Sequence, residues 1–263
     1  DDPGPVMSFG VSQGTLAGVN ILNMDEQYSE FSSQRRQEVA DGREAVEVAV
    51  VVVARGEGLR SLFTSLGVSG VVEGGDTMNP SVQDLLEAAD RAPSNNVVIL
   101  PNNRNIVPAA RQAAESSAKN VRVVPSTSIP QGIAAVLALN PDRDLESTFN
   151  DMAEALESVR TAEITEAVRE VTLAGVKVEP GRLIGLLERD IVAVGDGPAE
   201  VLTAVLRDAD LSDGDLVTLY WGRPIKAEAA DSTMRTVAET FQGVEFELVE
   251  GGQPHYHFLV SIE

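Results

Sequence analysis

The sequence predicts an α/β protein in which a parallel-sheet domain is followed by a second α/β domain with a mixed or antiparallel sheet. Short apolar strands alternate with amphipathic helices between residues 46 and 160, a spacing typical of right-handed βαβ units. After residue 160, short strands separated by Gly, Pro and Asp are typical of a meander, and helical patterns return from residue 198. These two patterns predict two successive α/β regions.

The first predicted strand lies in the Val/Ala run at residues 46–54, which is apolar throughout, as expected for a strand buried on both faces. Residues 25–45 are rich in Glu, Gln, Ser and Arg and are typical of a polar linker. We therefore expect three parts: the tail of a preceding domain with a linker at 1–41, the parallel-sheet domain at 42–160 and the second domain at 161–263.

Charge and composition limit the classes of partner and chemistry. The 263 residues carry a formal net charge of −21, which disfavours nucleic acid and anionic membranes as partners and favours a basic protein. The chain has no cysteine, which excludes thiol catalysis and cysteine-based zinc sites. No apolar run approaches the roughly 20 residues that a membrane span needs. We expect a cytoplasmic protein that does not insert into a membrane.

Three loops that follow predicted strands carry small polar side chains, and each loop leads into a helix. Such loops meet at one edge of a parallel sheet, where ligands bind, and helix N-termini there favour a carboxylate or phosphate. The same side chains are preferred helix caps, so a purely structural role is the alternative. The candidate pocket residues are Thr77, Asn79, Ser81, Asn102, Asn103, Ser126 and Thr127.

A second group of candidates consists of aromatic and histidine side chains near two strand ends in the second domain. Their side chains suit either an interface anchor or a half-buried core position. His255 and His257 are the only histidines and lack an evident third ligand nearby, so no metal site is predicted. The candidate interface residues are Tyr220, Trp221, His255, Tyr256 and His257.

The sequence contains no recognisable catalytic set. The glycines at positions 56 and 58 have the wrong spacing for a dinucleotide-binding fingerprint, and no phosphate-binding loop follows. The carboxylates are scattered, with no pair spaced for acid–base work. We predict no catalytic residue and no cofactor site in this region.

Three motifs follow one another along the chain. They are Gly74-Gly75-Asp76-Thr77-Met78-Asn79-Pro80-Ser81, Leu100-Pro101-Asn102-Asn103-Arg104-Asn105-Ile106 and Ile129-Pro130-Gln131-Gly132. In this order they resemble the A subunit of bacterial fatty acid kinase, a family also labelled dihydroxyacetone-kinase-like or Dak phosphatase. Asp76 stands where this family usually has Gln, and Ser126 stands where Thr is common.

The resemblance implies a DegV-like fold and a place in the carboxy-terminal region of the A subunit. It implies that this region docks the fatty-acid-carrying B subunit, of the DegV family, while a separate kinase domain forms the acyl phosphate. Mg-ATP would then be bound only by the amino-terminal domain, and a middle domain preceding this region would mediate self-association. The alternatives are a fatty-acid or small-anion binding DegV-like domain and a phosphatase, although the sequence shows no metal cluster for the latter.

Overall fold

The computed structural model describes residues 46–73, 79–173 and 176–263, and it places residues 46–263 in one compact unit. The predicted tail and linker at 1–41 lie outside the described residues. Two large β-sheets and one two-stranded hairpin make up the strands of the described part. The chain passes from the first large sheet to the second near residue 160. The division into two domains at 42–160 and 161–263 stays a prediction.

The first sheet has four parallel strands, which are β1 (Ala49–Val53), β2 (Gly70–Val72), β3 (Asn96–Leu100) and β4 (Asn120–Val123). Their order in the sheet is β2-β1-β3-β4. The helices are α1 (Glu57–Ser65), α2 (Val82–Arg91), α3 (Val107–Ser116), α4 (Ile129–Leu137) and α5 (Leu145–Ala155), followed by a 3₁₀ turn at Leu156–Ser158.

The apolar run of β1 is explained by burial on both faces of this sheet. Val50 and Val52 pack in a cluster with α1, α4 and α5. Ala49, Val51 and Val53 face the opposite side and pack with α2 and α3. Helices therefore cover both faces, as expected for parallel strands joined by helical crossovers.

The second sheet is mixed and has six strands, which are β5 (Arg160–Glu166), β8 (Leu183–Leu187), β9 (Asp190–Gly195), β10 (Leu216–Trp221), β11 (Glu245–Glu250) and β12 (Tyr256–Ile262). Their order is β11-β10-β12-β5-β8-β9. Only β10 and β11 pair in parallel, and the other neighbours are antiparallel. The helices α6 (Pro198–Asp208) and α7 (Ala227–Ala238) pack on one face, and β6 (Val171–Leu173) pairs with β7 (Val176–Val178) as the hairpin.

The two sheets share one layer of helices. Tyr220 and Leu259 of the second sheet belong to the same buried cluster as Phe63 of α1 and Ile133 of α4. The start of α1 also meets the loop after β11, where the Leu59 amide donates to the Gly251 carbonyl at 2.9 Å. A Cβ at Gly58 would lie 1.9 Å from the Glu250 carbonyl oxygen, so only glycine permits this close approach.

Candidate functional site

A cavity of about 300 Å³ lies between the two sheets, at the carboxyl ends of β1 and β3. One wall, the strand-end wall, consists of the loop residues that follow β1, β3 and β4. The other wall, the sheet wall, consists of residues from β5, β12 and the turn between β8 and β9. Asn102, Asn103 and Thr127 line the strand-end wall, and Tyr256 lines the sheet wall.

Asn102 and Ser126 on the strand-end side are bound to each other. The Ser126 hydroxyl donates to Asn102 Oδ1 at 2.7 Å, and the backbone amide of Asn102 donates to Ser126 Oγ at 3.0 Å. Asn102 Nδ2 donates to the Val53 carbonyl at 3.0 Å, so the side chain also holds the end of β1. Ser126 is completely buried and does not line the cavity. This network fastens three strand ends together.

The conformation of this network explains two residue types in the motifs. Asn102 has a φ of 54°, and asparagine adopts this left-handed region more readily than most residues. A Cβ at Gly132 would lie 2.1 Å from Asn102 Oδ1. Helix α4 can therefore approach Asn102 only because position 132 lacks a side chain.

The remaining strand-end groups are also engaged locally. The Thr127 amide and hydroxyl both donate to Gln131 Oε1, at 2.8 and 2.9 Å. Asn103 Oδ1 accepts from the Asn105 amide at 2.9 Å. The Ser128 hydroxyl caps α4 and lies 2.8 Å from the Thr161 hydroxyl across the cavity edge. The polar groups of this wall thus serve mainly to bind one another.

Two further candidate pocket residues lie away from this wall. Ser81 caps α2 in a capping box with Asp84, and Asn79 is exposed. Neither residue lines the cavity. Thr77 lies outside the described residues. A ligand-binding role for the candidate set stays a prediction.

The sheet wall contains a carboxyl group that no sequence motif marked. Glu163 lies on the central strand β5, between Leu259 of β12 and Leu186 of β8. Among the described residues, no hydrogen-bond donor reaches its carboxyl group. Burial raises the pKa of Glu163, and Arg189 opposes this rise.

The turn beside Glu163 places two more charged residues at the cavity. Glu188 and Arg189 have φ angles of 46° and 82°, and both line the cavity. The Thr161 amide donates to Glu188 Oε1, which fixes this carboxylate against β5. Left-handed φ angles in two consecutive residues other than glycine cost conformational energy, and such backbone conformations are found more often at functional sites.

The candidate interface residues do not form one surface. Tyr220 is buried in the shared core, where burial raises its pKa. Trp221 is only partly buried and packs against the core of the second sheet. Tyr256 lines the cavity, and burial raises its pKa to about 12. An interface role for these residues also stays a prediction.

His257 lies at a register shift in β12, and His255 directly precedes this strand. The pairing of β12 with β5 shifts between Tyr256 and Phe258, and His255 has a φ of 69°. Burial lowers the pKa of His257, and its Nδ1 has no hydrogen-bond partner among the described residues. In the part of the chain that the structure describes, no group of three potential metal ligands is found.

No helix among the described residues is both long and apolar enough to cross a membrane.

Comparison with known families decides the relationship that the motifs suggested. The family model that describes the C-terminal region of fatty acid kinase A-subunit-like proteins matches residues 49–263. The chain belongs to this family. The resemblance stated from the motifs is therefore confirmed, and the match covers both sheets.

Curated relatives of this fatty-acid-kinase-like chain occur in staphylococci. An uncharacterized protein of Staphylococcus haemolyticus is 34% identical over 267 aligned positions, and one of Staphylococcus aureus is 32% identical over 261. The alignments cover 100% and 99% of this chain but 48% of each relative. The chain thus spans about half the length of the curated relatives it matches.

Solved structures with the same fold include DegV family proteins. A DegV family protein from Corynebacterium glutamicum has a TM-score of 0.61 at 17% identity, covering 83% of this chain and 96% of its own. A Thermotoga maritima protein, described as having a fatty acid binding function, has a TM-score of 0.58 at 10% identity, covering 82% and 98%. These likenesses confirm the predicted fold class, a DegV-like α/β fold with a parallel and a mixed sheet.

The dihydroxyacetone kinase of C. freundii also resembles the chain. Its TM-score is 0.55 at 12% identity, covering 94% of this chain and 57% of the kinase. At this identity the likeness concerns the fold alone.

Proposed function

We propose that this region is a docking module of a fatty-acid-kinase-like protein. In this proposal it binds a DegV-family B subunit that carries the fatty acid, and a separate kinase domain phosphorylates that acid with ATP. The family match supports the kinase system. The mutual hydrogen bonding of Asn102 and Ser126 supports the docking role over a lipid-carrying role, and it is the observation that carries the proposal.

Free hydrogen-bond donors are what a lipid-carrying role would require. A fatty acid carboxylate needs donors, and a buried carboxylate without them is costly. The Ser126 hydroxyl and the Asn102 amide nitrogen already donate within the protein, and the Thr127 hydroxyl donates to Gln131. The opposite wall adds two carboxylates, Glu163 and Glu188, which repel a bound anion, and one cation, Arg189, which interacts with Glu163. The lipid therefore belongs on the partner in this proposal.

The proposal also assigns Mg-ATP to a part of the protein other than this region. The isolated chain would then turn over no ATP in the presence of fatty acid and the B subunit. Turnover well above that of buffer by this chain alone would contradict the assignment.

Calorimetric titration of the purified chain with the fatty-acid-loaded B subunit, the carrier, tests docking. We expect saturable binding of one carrier per chain, while mass spectrometry of the organic extract of the chain alone shows no stoichiometric acyl group. A carrier of an unrelated fatty-acid-binding fold is the control. Absence of binding to the DegV-family carrier would refute the docking role.

The second candidate function is direct binding of a fatty acid or small anion by this chain. The cavity between the sheets and the DegV-like fold favour it. A stoichiometric acyl chain in the organic extract would establish this function in place of docking.

A further inference from the structure

A carboxyl group in the cavity wall has no donor among the described residues. Glu163 lines the cavity, its residue is partly buried, and its carboxyl group has no hydrogen bond with any described residue. A carboxylate that is partly removed from water and gains no hydrogen bond within the protein lowers stability.

The position of Glu163 is unusual for a carboxyl group. Both cross-strand neighbours on the same face are leucines, Leu259 and Leu186. A leucine at position 163 would extend this apolar row across the middle of the sheet. A carboxyl group in such a place lowers the stability of the folded protein, and it is expected where the group contacts a ligand.

Of the two carboxylates at the cavity, Glu163 is the one without a hydrogen bond or ion pair to a described residue. Glu188 already accepts from the Thr161 amide. Arg55 lines the cavity and has an interaction of its own. Arg189 lies exposed on a turn and interacts with Glu163 through space, without a hydrogen bond or ion pair to it.

We propose that the cavity binds an ammonium or guanidinium group, with Glu163 as its principal anchor and Glu188 as a further acceptor. A volume of about 300 Å³ accommodates such a head group with a short alkyl stem. The cation has two sources with the same chemistry, a free small molecule or a basic side chain of a docked protein. The site goes beyond the docking proposal, because a free amine would occupy it without any partner.

The test uses the purified chain and three small probes, methylguanidinium, n-butylammonium and butyrate, at matched ionic strength. Amide NMR signals of Thr161 and Thr127 report on the two walls. We expect saturable shifts with both cations and none with butyrate. In Glu163→Gln the cations should bind at least about tenfold more weakly, as expected for loss of one charge-assisted hydrogen bond.

A matched control separates the site from general acidity. Glu166→Gln removes one carboxylate from the exposed end of the same strand and should leave cation binding unchanged. Circular dichroism and urea unfolding establish that both variants are folded. If Glu163→Gln fails to fold, the Glu188→Gln variant replaces it and should also weaken cation binding.

Three results would overturn the proposal: butyrate binding at these signals, equal cation binding by wild type and the folded Glu163→Gln variant, or no saturable shift with either cation. A carrier titration in the presence of methylguanidinium distinguishes the two sources. Competition assigns the site to a basic side chain of the carrier, and unchanged carrier binding assigns it to a free molecule. Failure of the carrier to bind at all counts against the docking role alone, since the probes are tested without it.

Discussion

The polar side chains in the two walls of the cavity differ in their hydrogen bonding. On the strand-end wall, Asn102 and Ser126 are buried and satisfy each other's hydrogen bonds. On the sheet wall, Glu163 has no hydrogen bond with any described residue, although its strand is central in the sheet. The strand-end wall therefore uses its polar groups for stability, whereas the sheet wall keeps one at a cost in stability.

This difference teaches that polar residues at the ends of parallel strands are not by themselves evidence of a binding site. The loops of the strand-end wall have the composition of an anion pocket, yet the side-chain donors of Asn102, Ser126 and Thr127 are engaged within the protein. An isolated carboxyl group on an apolar sheet face is the more informative feature, because nothing in the packing requires it.

The largest expected effect comes from removing the Asn102 side chain. Asn102→Ala removes the side-chain donor to the Val53 carbonyl and the acceptor of the Ser126 hydroxyl proton, while the backbone amide of residue 102 still donates to Ser126 Oγ. Each buried hydrogen bond lost in this way costs roughly 1–3 kcal/mol, so we expect a loss of about 3 kcal/mol in the free energy of unfolding. Urea unfolding measures it. Asn103→Ala, which removes only a partly exposed turn contact, is the control and should cost less than about 1 kcal/mol.

A smaller effect is expected from adding one methyl group beside that side chain. In Gly132→Ala the new Cβ would lie 2.1 Å from Asn102 Oδ1, and such overpacking costs about 2 kcal/mol. The cost should disappear in the Asn102→Ala background, where alanine instead gains its helix propensity of about 1 kcal/mol over glycine. Equal costs in the two backgrounds, measured as a double-mutant cycle, would show that this contact does not explain the glycine.

Much of the fold was predictable from the sequence, because its signals are local. The Val/Ala run predicted a strand buried on both faces, and β1 is such a strand. Helix starts were marked by Pro or by a capping residue, as at Ser81 and Ser128. Boundaries differ by a few residues: the strand predicted in the run at 46–54 spans Ala49–Val53.

The candidate site was less predictable, because its geometry depends on contacts between distant parts of the chain. The bond between Asn102 and Ser126 joins two loops 24 residues apart. Glu163 was missed because Thr161, Glu163 and Thr165 alternate with apolar residues, a pattern typical of a solvent-facing strand surface. That face instead packs toward α4 and the cavity. The signal that could have found Glu163 is its place on a strand between two apolar neighbouring strands.

The smallest expected effect, in the pH dependence of stability, would show whether the sheet wall carries the cost assigned to it. Burial raises the pKa of Glu163 in the folded protein above its unfolded value of about 4.3. The folded state then holds this proton more tightly, so its contribution to stability is fully present below about pH 4 and is lost as pH rises through the folded pKa.

Relative to Glu163→Gln, the wild type should therefore lose stability with rising pH and level off above that pKa. Urea unfolding of both proteins across this range measures the difference. Glu188, Arg189, Arg55 and Tyr256 face the same cavity and are common to both proteins, so their direct contributions largely cancel. A difference that stays constant with pH would show that folding does not shift the pKa of Glu163, and one that grows in favour of the wild type would show that the folded protein stabilises the carboxylate. Either result would remove the contrast between the two walls.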